Sequence, residues 1–382
     1  MRTGKWFVSA LLILTITFMG CTSQNGKTES ITPAATDNFS RISVTDSLLG
    51  IQATLESIYT RANPSVVNIQ VLLPSSLPNH SGGALGSGFV WDIQGNLVTN
   101  NHVVDGATRM TVTFYDGTTL EASLVGTDAD SDLAVIKVNP KEIQLQPVTM
   151  ADSSQLKVGQ LAIAIGNPFG LQGTMTVGFV SGLGRLLPAN ENAVGPSYSI
   201  PDIIQTDAAI NPGNSGGVLL DATAKVIGVT SSIATTSGTS AGVGFAIPAA
   251  IVEQVVPALI KTGHYDHPYF GIGVVSLNPD LATAMNLPSG QRGALVQTVT
   301  PDSPADKAGL QASQNQTTIN GEQMSVGGDV IITYNNQVVK STDDLISFLA
   351  RSGSVGQTVT LTLLRDGKQI QVKVTLGIRP SS

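Results

Sequence analysis

Ser215 lies in the string Thr-Asp-Ala-Ala-Ile-Asn-Pro-Gly-Asn-Ser-Gly-Gly, residues 206–217. Glycines on both sides let the backbone take conformations closed to other residues, so the N–H groups of Gly213 and Ser215 can converge on one point. Two convergent donors suit the oxyanion of a tetrahedral intermediate, and losing one such donor costs about 100- to 1,000-fold in rate. Asn-Ser-Gly-Gly alone would also make an ordinary hairpin turn, so the nucleophile reading needs a base and an orienting acid. Four histidines could be that base: His80, His102, His264 and His267. His80 sits in a Pro/Ser/Gly loop. His264 and His267 flank Asp266, and a metal could use all three, but no matching ligand cluster appears elsewhere and no metal is expected. His102 follows Asn100-Asn101 at the end of a predicted strand, which puts its imidazole half-buried at a barrel rim. Asp132 opens the apolar run Leu133–Ile136. A carboxylate there is costly to bury unless something donates to it, and an imidazole N–H would. Asp128 and Asp130 read as turn aspartates.

The elements that must hold these residues are short and β-rich. Strands are predicted at 66–72, 88–91, 97–99, 110–114, 121–127, 133–138, 161–165, 174–183, 218–220, 226–231 and 242–246, with turn signals such as Asp116-Gly117 between them. Eleven strands without intervening helices point to a barrel or a pair of barrels. A helix over 248–262, kinked at Pro257 and capped by Gly263, then closes the segment. Beyond it, strands at 270–276, 294–299, 329–334, 358–365 and 368–376 mix with short helices at 303–308 and 342–351, the second starting at Thr342. Residues 311–325 read as a surface loop. This α+β tail is a separate domain.

Composition agrees. Only 12% of the 382 residues are charged and 40 are glycine, against roughly a quarter charged in ordinary soluble domains. The 41% hydrophobic content suffices for cores, and the length allows two or three domains. A net charge of -7 without Lys/Arg runs offers no footprint for nucleic acid. A single cysteine excludes an intrachain disulfide framework and a Cys-based zinc site.

That cysteine, Cys21, follows Arg2, Lys5 and the apolar run 6–19, the layout of a secretory signal. Its position suggests lipoprotein processing, with Cys21 acylated, although Phe18 and Met19 are bulkier than the residues usual before Gly-Cys. Ordinary cleavage and an uncleaved anchor are the alternatives; all three export the chain. Residues 22–46 read as a solvated tether. Leu48, Leu49, Ile51, Leu55, Ile58 and Tyr59 then recur at helical spacing between Asp46 and Pro64.

Four strings, Thr99–Val104, Asp132–Lys137, Ile165–Gly170 and the one around Ser215, resemble the HtrA/Deg serine proteases, and Tyr269–Ile272, Ser303–Leu310 and Val326–Ile331 resemble that family's PDZ domain. The order His, Asp, Ser is that of chymotrypsin-like double barrels. The resemblance implies a mainly β fold, with a trypsin-like double-barrel protease domain at 47–264 and an α+β PDZ domain at 268–380 following the signal at 1–21 and the tether at 22–46. It implies Ser215 as acylated nucleophile, His102 as base then acid, and Asp132 as the holder of the imidazole tautomer. Gly213, Ser215 and Asn214 would form the oxyanion hole. Ile233 would shape the pocket for the residue before the cut, favouring small or medium aliphatic side chains. Phe169, Arg185 and Gln205 would belong to loops that switch between idle and catalytic arrangements. Tyr269, Phe270, Gly271 and Ile272 would receive a peptide's C-terminal carboxylate. The family likeness further implies trimers, no cofactor, and degradation of misfolded or damaged envelope proteins by an exported, membrane-held enzyme. The competing reading is a catalytically idle chaperone or peptide-binding scaffold. Two segments depart from the family's pattern: 186–199 is longer and 73–85 is short.

Overall fold

Aliphatic and β-branched runs between turn residues build two barrels. The computed structural model describes residues 44–74, 83–167, 173–188, 199–231 and 242–380. The first barrel comprises β1 (Val66–Leu72), β2 (Gly83–Val90), β3 (Asn96–Thr99), β4 (Arg109–Thr113), β5 (Thr119–Asp128) and β6 (Leu133–Lys137). The second comprises β7 (Leu161–Gly166), β8 (Thr174–Pro188), β9 (Ser199–Thr206), β10 (Val218–Leu220), β11 (Val226–Ser231) and β12 (Gly244–Pro248). Strand order is β1-β2-β3-β6-β5-β4 in one and β7-β8-β9-β12-β11-β10 in the other, so the second repeats the first with every number raised by six. Closure leaves neither sheet with an open edge.

Among the described residues, three α-helices accompany the barrels: α1 (Val44–Ala62), α2 (Asn101–Val104) and α3 (Ala249–Thr262). One buried cluster joins Phe89, Val98 and Leu133 of the first barrel to Ile163, Ile203 and Val218 of the second, with Val252, Val255 and Leu259 of α3 and Ile58 of α1. Residues Leu48, Leu49 and Ile51 of α1 are exposed. Pro257 lies inside α3 without breaking it, and Gly263 ends the helix at φ 81°. No helix among the described residues is long and apolar enough to cross a membrane.

The tail consists of β13 (Pro268–Tyr269), β14 (Ile272–Ser276), α4 (Pro279–Ala284), β15 (Ala294–Val299), α5 (Pro304–Lys307), β16 (Asn315–Ile319), β17 (Glu322–Val326), β18 (Val330–Tyr334), β19 (Gln337–Val338), α6 (Thr342–Ser352), β20 (Thr358–Arg365), β21 (Lys368–Thr375) and β22 (Gly377–Ile378). Its sheet runs β14-β15-β18-β20-β21 over its own core of Phe270, Ile331, Leu345, Leu361 and neighbours.

Four expectations change. Residues 315–326 form a hairpin and not a loop, because Ile319 and Met324 pack against the buried Leu277, Leu281 and Val330. Phe270 and Gly271 form a turn between β13 and β14 rather than the start of a strand. The cap of α6 is Ser341, whose Oγ accepts from the Asp344 N–H at 3.2 Å, and not Thr342. Strand β9 and helices α2 and α4 were not predicted.

Candidate active site

His102 and Asp132 come from the two ends of one local arrangement. Strand β3 delivers Thr99 to the barrel rim, and the chain turns at once into the four-residue helix α2, so Asn100, Asn101 and His102 all face Asp132. The Asn101 N–H and Asn100 Nδ2 donate to the Asp132 carbonyl at 3.1 and 2.9 Å. The His102 N–H donates to Asp132 Oδ1 at 3.0 Å, and His102 Nδ1 lies 2.9 Å from both carboxylate oxygens. The Ser231 hydroxyl, at the end of β11, adds a donor 3.3 Å from Oδ2. An ionised carboxylate only accepts, so Nδ1 carries the ring hydrogen and Nε2 is left with its lone pair. The Asp132 side chain is 4% exposed and that of His102 34%, an acid sealed behind a base that meets solvent.

The string around Ser215 is held as tightly. Gly213 has φ 93°. The Asn214 N–H donates to the Asn211 carbonyl at 2.9 Å, and the Asn214 carbonyl accepts from Thr230 Oγ1 at 2.6 Å and from the Gly217 N–H at 3.0 Å. The Ser87 N–H of β2 reaches across from the first barrel to the Ser215 carbonyl at 2.8 Å. Gly216 cannot be replaced without disturbance: at φ 84°, a Cβ would fall 2.2 Å from the Ser87 carbonyl oxygen. Ser215 and Asn214 are buried, with 3% and 4% exposure.

Other predicted residues divide. Arg185 and Gln205 flank Gly182, where an added Cβ would meet Arg185 Nε at 3.0 Å and Gln205 Oε1 at 3.2 Å. Phe169, Ile233, His80 and Cys21 lie outside the described residues. Tyr269 ends β13, Phe270 is buried, Gly271 takes φ 82° and Ile272 opens β14. The carbonyls of Phe270 and Gly271 accept from the N–H groups of Ala305 and Thr300 at 2.9 and 2.8 Å. A groove of about 230 Å³ runs from this turn between β14 and α6, lined by Phe270, Ile272, Val274, Leu345, Ile346 and Leu349, with Pro201, His267 and Arg379 at one end.

The two turn aspartates do more than expected. His267 Nε2 lies 2.9 and 3.0 Å from the oxygens of Asp128, which also accepts from the Ser131 hydroxyl at 2.5 Å. Arg379 pairs with Asp130. Burial pulls the Arg379 guanidinium below its ordinary value against the opposing charge of Asp128. Burial, then the charge of Asp128, raises the Tyr265 phenol, whose ring stands edge-on to His267 at 4.8 Å. His267 thus faces Asp128, while His264 Nε2 stays 3.8 Å from Asp266 Oδ1. Sequence reasoning missed Ser87, Thr230 and Ser231. Only the Gly-Ser-Gly setting of Ser87 was a visible signal; a hydroxyl in a strand is otherwise unremarkable.

Comparison with known proteins agrees with this geometry. Residues 86–229 match the family described as trypsin-like peptidase domain and residues 268–376 the PDZ domain. Protease Do-like 1, chloroplastic, of Arabidopsis thaliana is 42% identical over 295 residues, 77% of this chain and 64% of that protein. A probable periplasmic serine protease do/HhoA-like of Haemophilus influenzae is 40% identical over 78% of this chain and 59% of its own length. The chain therefore spans somewhat under two thirds of these curated relatives. The solved HtrA-type protease AlgW with tripeptide superposes with TM-score 0.65 at 34% identity, covering 86% of this chain and 98% of AlgW. A serine endoprotease from Yersinia pestis gives TM-score 0.56 at 30% identity over 85% of this chain and 98% of its own. With two six-strand barrels, a PDZ domain and this likeness over nearly the whole of AlgW, the chain belongs to the HtrA-type serine proteases.

Proposed function

We propose that the protein is an exported, ATP-independent serine endopeptidase that degrades misfolded or damaged proteins of the cell envelope through an acyl-enzyme. Ser215 Oγ attacks the scissile carbonyl carbon as His102 Nε2 takes its proton. The carbonyl oxygen becomes an oxyanion facing the N–H groups of Gly213 and Ser215, with Asn214 beside them. Collapse breaks the C–N bond, His102 gives the proton to the leaving amine, and water, deprotonated by His102, releases the acyl group and restores Ser215. Asp132 keeps the imidazole in the required tautomer and stabilises the imidazolium. The observation that carries this reading is the buried Asp132 carboxylate 2.9 Å from His102 Nδ1, facing a base otherwise open to solvent.

The protease domain extends over 47–264 and the PDZ domain over 268–380. The groove between β14 and α6 takes an apolar C-terminal side chain while the turn at Tyr269–Ile272 receives the carboxylate. Arg185, Gln205 and Phe169 belong to the loops that set the active arrangement, and Ile233 to a pocket for Val- or Ala-sized residues. Exposed Leu48, Leu49 and Ile51 support assembly as a homotrimer. Periplasmic relatives support an extracytoplasmic site of action, with Cys21 as lipid anchor. A fluorophosphonate probe tests the chemistry: the full chain should label at Ser215 and cleave unfolded casein, and Ser215→Ala should do neither. Casein cleavage by Ser215→Ala at the parent's rate would remove the proposed nucleophile, and an unlabelled parent, with or without casein, would favour an idle scaffold.

A further inference from the structure

The catalytic reading leaves the buried hydroxyl of Ser87 unexplained. Ser87 is fully buried on β2, in the first barrel, while the string around Ser215 belongs to the second. Its N–H donates to the Ser215 carbonyl at 2.8 Å. Its Oγ accepts from the Asn167 N–H at 2.7 Å and donates to the Gly213 carbonyl at 2.6 Å. A hydroxyl has a single hydrogen, and with Asn167 donating to its oxygen, that hydrogen is committed to Gly213.

We propose that Ser87 is a positioning residue of the oxyanion site, its hydroxyl setting the direction of the Gly213 backbone. This rests on the reading of Gly213 and Ser215 as oxyanion donors. A peptide unit is planar, so holding both of its ends fixes its orientation. The unit between Gly213 and Asn214 is held at its carbonyl by Ser87 Oγ and at its N–H by the Asn211 carbonyl at 2.9 Å. The next unit is held at the Asn214 carbonyl by Thr230 Oγ1 and the Gly217 N–H, which directs the Ser215 N–H to the opposite side. Gly213, at φ 93° and without a Cβ, has little of its own to resist rotation. Without the hydroxyl its buried carbonyl has no donor, and leaving such a group unpaired is costly enough to turn the peptide toward another partner. The Gly213 N–H belongs to the preceding peptide unit, hinged to this one at the Gly213 Cα, so once the held unit turns, Gly213 can rotate about that hinge and its N–H loses its fixed direction toward the oxyanion point. Because β2 also carries the N–H bonded to Ser215, Ser87 bonds the nucleophile loop on both sides of Asn214 and aligns it with the barrel that carries His102 and Asp132.

Ser87→Ala removes the hydroxyl and keeps the backbone bond to Ser215. The full-length variant is titrated with a fluorophosphonate, so that rates refer to reactive sites only, and assayed on a short peptide substrate. The expected result is a 10- to 100-fold loss of kcat per titrated site with KM within about twofold, short of the loss for a deleted oxyanion donor. The Ki of a peptidyl aldehyde, which needs the oxyanion donors, should rise by a similar factor. Ser87→Cys, with a weak donor in the same place, should fall between parent and Ala. Partial unfolding would lower the titrated fraction and leave the aldehyde Ki alone. A kcat per site within twofold of the parent, or an unchanged aldehyde Ki, overturns the role of Ser87 and leaves Ser215 standing. A parent chain that is never acylated overturns both.

Discussion

Asp132 is unfavourable twice over in isolation. Its carboxylate is buried, and its φ of 54° is left-handed backbone that costs a non-glycine residue roughly 1 kcal/mol. Four neighbours offset this, since Asn100, Asn101, His102 and Ser231 all donate to it. Asp132→Asn should therefore keep the fold while exchanging an acceptor for a group that can donate to Nδ1, which stabilises the wrong imidazole tautomer. We expect kcat to fall by about 10⁴-fold with an unchanged far-UV spectrum and thermal midpoint; a loss under tenfold would mean that the tautomer is not what Asp132 controls. The identity of Asp132 was legible because a carboxylate opening an apolar strand needs a donor. Its left-handed backbone and the hydroxyl of Ser231 were not, because 99 residues separate Ser231 from Asp132 and nothing local marks a serine as aimed at a distant acid.

Elements were legible where period and turn chemistry coincided, and less so elsewhere. The barrel strands β6, β7 and β11 are apolar runs between turn residues and appear nearly as read. Strand β9 escaped notice because Pro201 and Asp202 are poor strand formers; its pairing with β8 and β12 overrides them. The hairpin of β16 and β17 is the opposite case. Asn320-Gly321 is a strong two-residue turn signal, with φ 51° and 88°, but its polar strands look like loop. The turn at Gly271 is where an element-scale change should have a functional cost. At φ 82°, an added Cβ would lie 2.2 Å from Ser303 Cβ, so Gly271→Ala must displace the turn proposed to receive a peptide carboxylate. Affinity for a fluorescent peptide with an apolar C-terminal residue should fall by more than about tenfold, while cleavage of a short substrate persists. Gly321→Ala is the matched control: φ is 88° and nothing lies within 4 Å, so it should cost about 1 kcal/mol of stability and no affinity. Equal peptide affinities for the two variants would take the carboxylate site away from this turn.

Contacts that join the barrels to the PDZ domain are the part of the molecule least visible in its sequence, because their partners are far apart in the chain, 97 residues for Gln254 and Arg351 and 149 for Asp202 and Arg351. Arg351, near the end of α6, pairs with Asp202 of β9, and its carbonyl accepts from Gln254 Nε2 of α3 at 2.5 Å. The Asp202 side chain is 6% exposed and that of Arg351 29%. Burial raises the Asp202 carboxyl above its ordinary value, and Arg351 opposes the rise. Such a carboxyl holds its proton in the native state at a pH where the unfolded chain has released it, so its contribution makes stability fall as pH rises through that interval. Removing the guanidinium should push the Asp202 carboxyl higher and extend the interval upward. Arg351→Ala should therefore be destabilised most at pH 7, by about 2 kcal/mol, less than for a fully buried pair because Arg351 still meets solvent. The deficit should shrink as acid neutralises Asp202, and Arg351→Ala combined with Asp202→Asn should recover part of it at pH 7. Calorimetric scans at pH 7 and pH 4 read both effects. Equal deficits at the two pH values would show that Arg351 acts through packing along α6 and not through the charge it brings to Asp202.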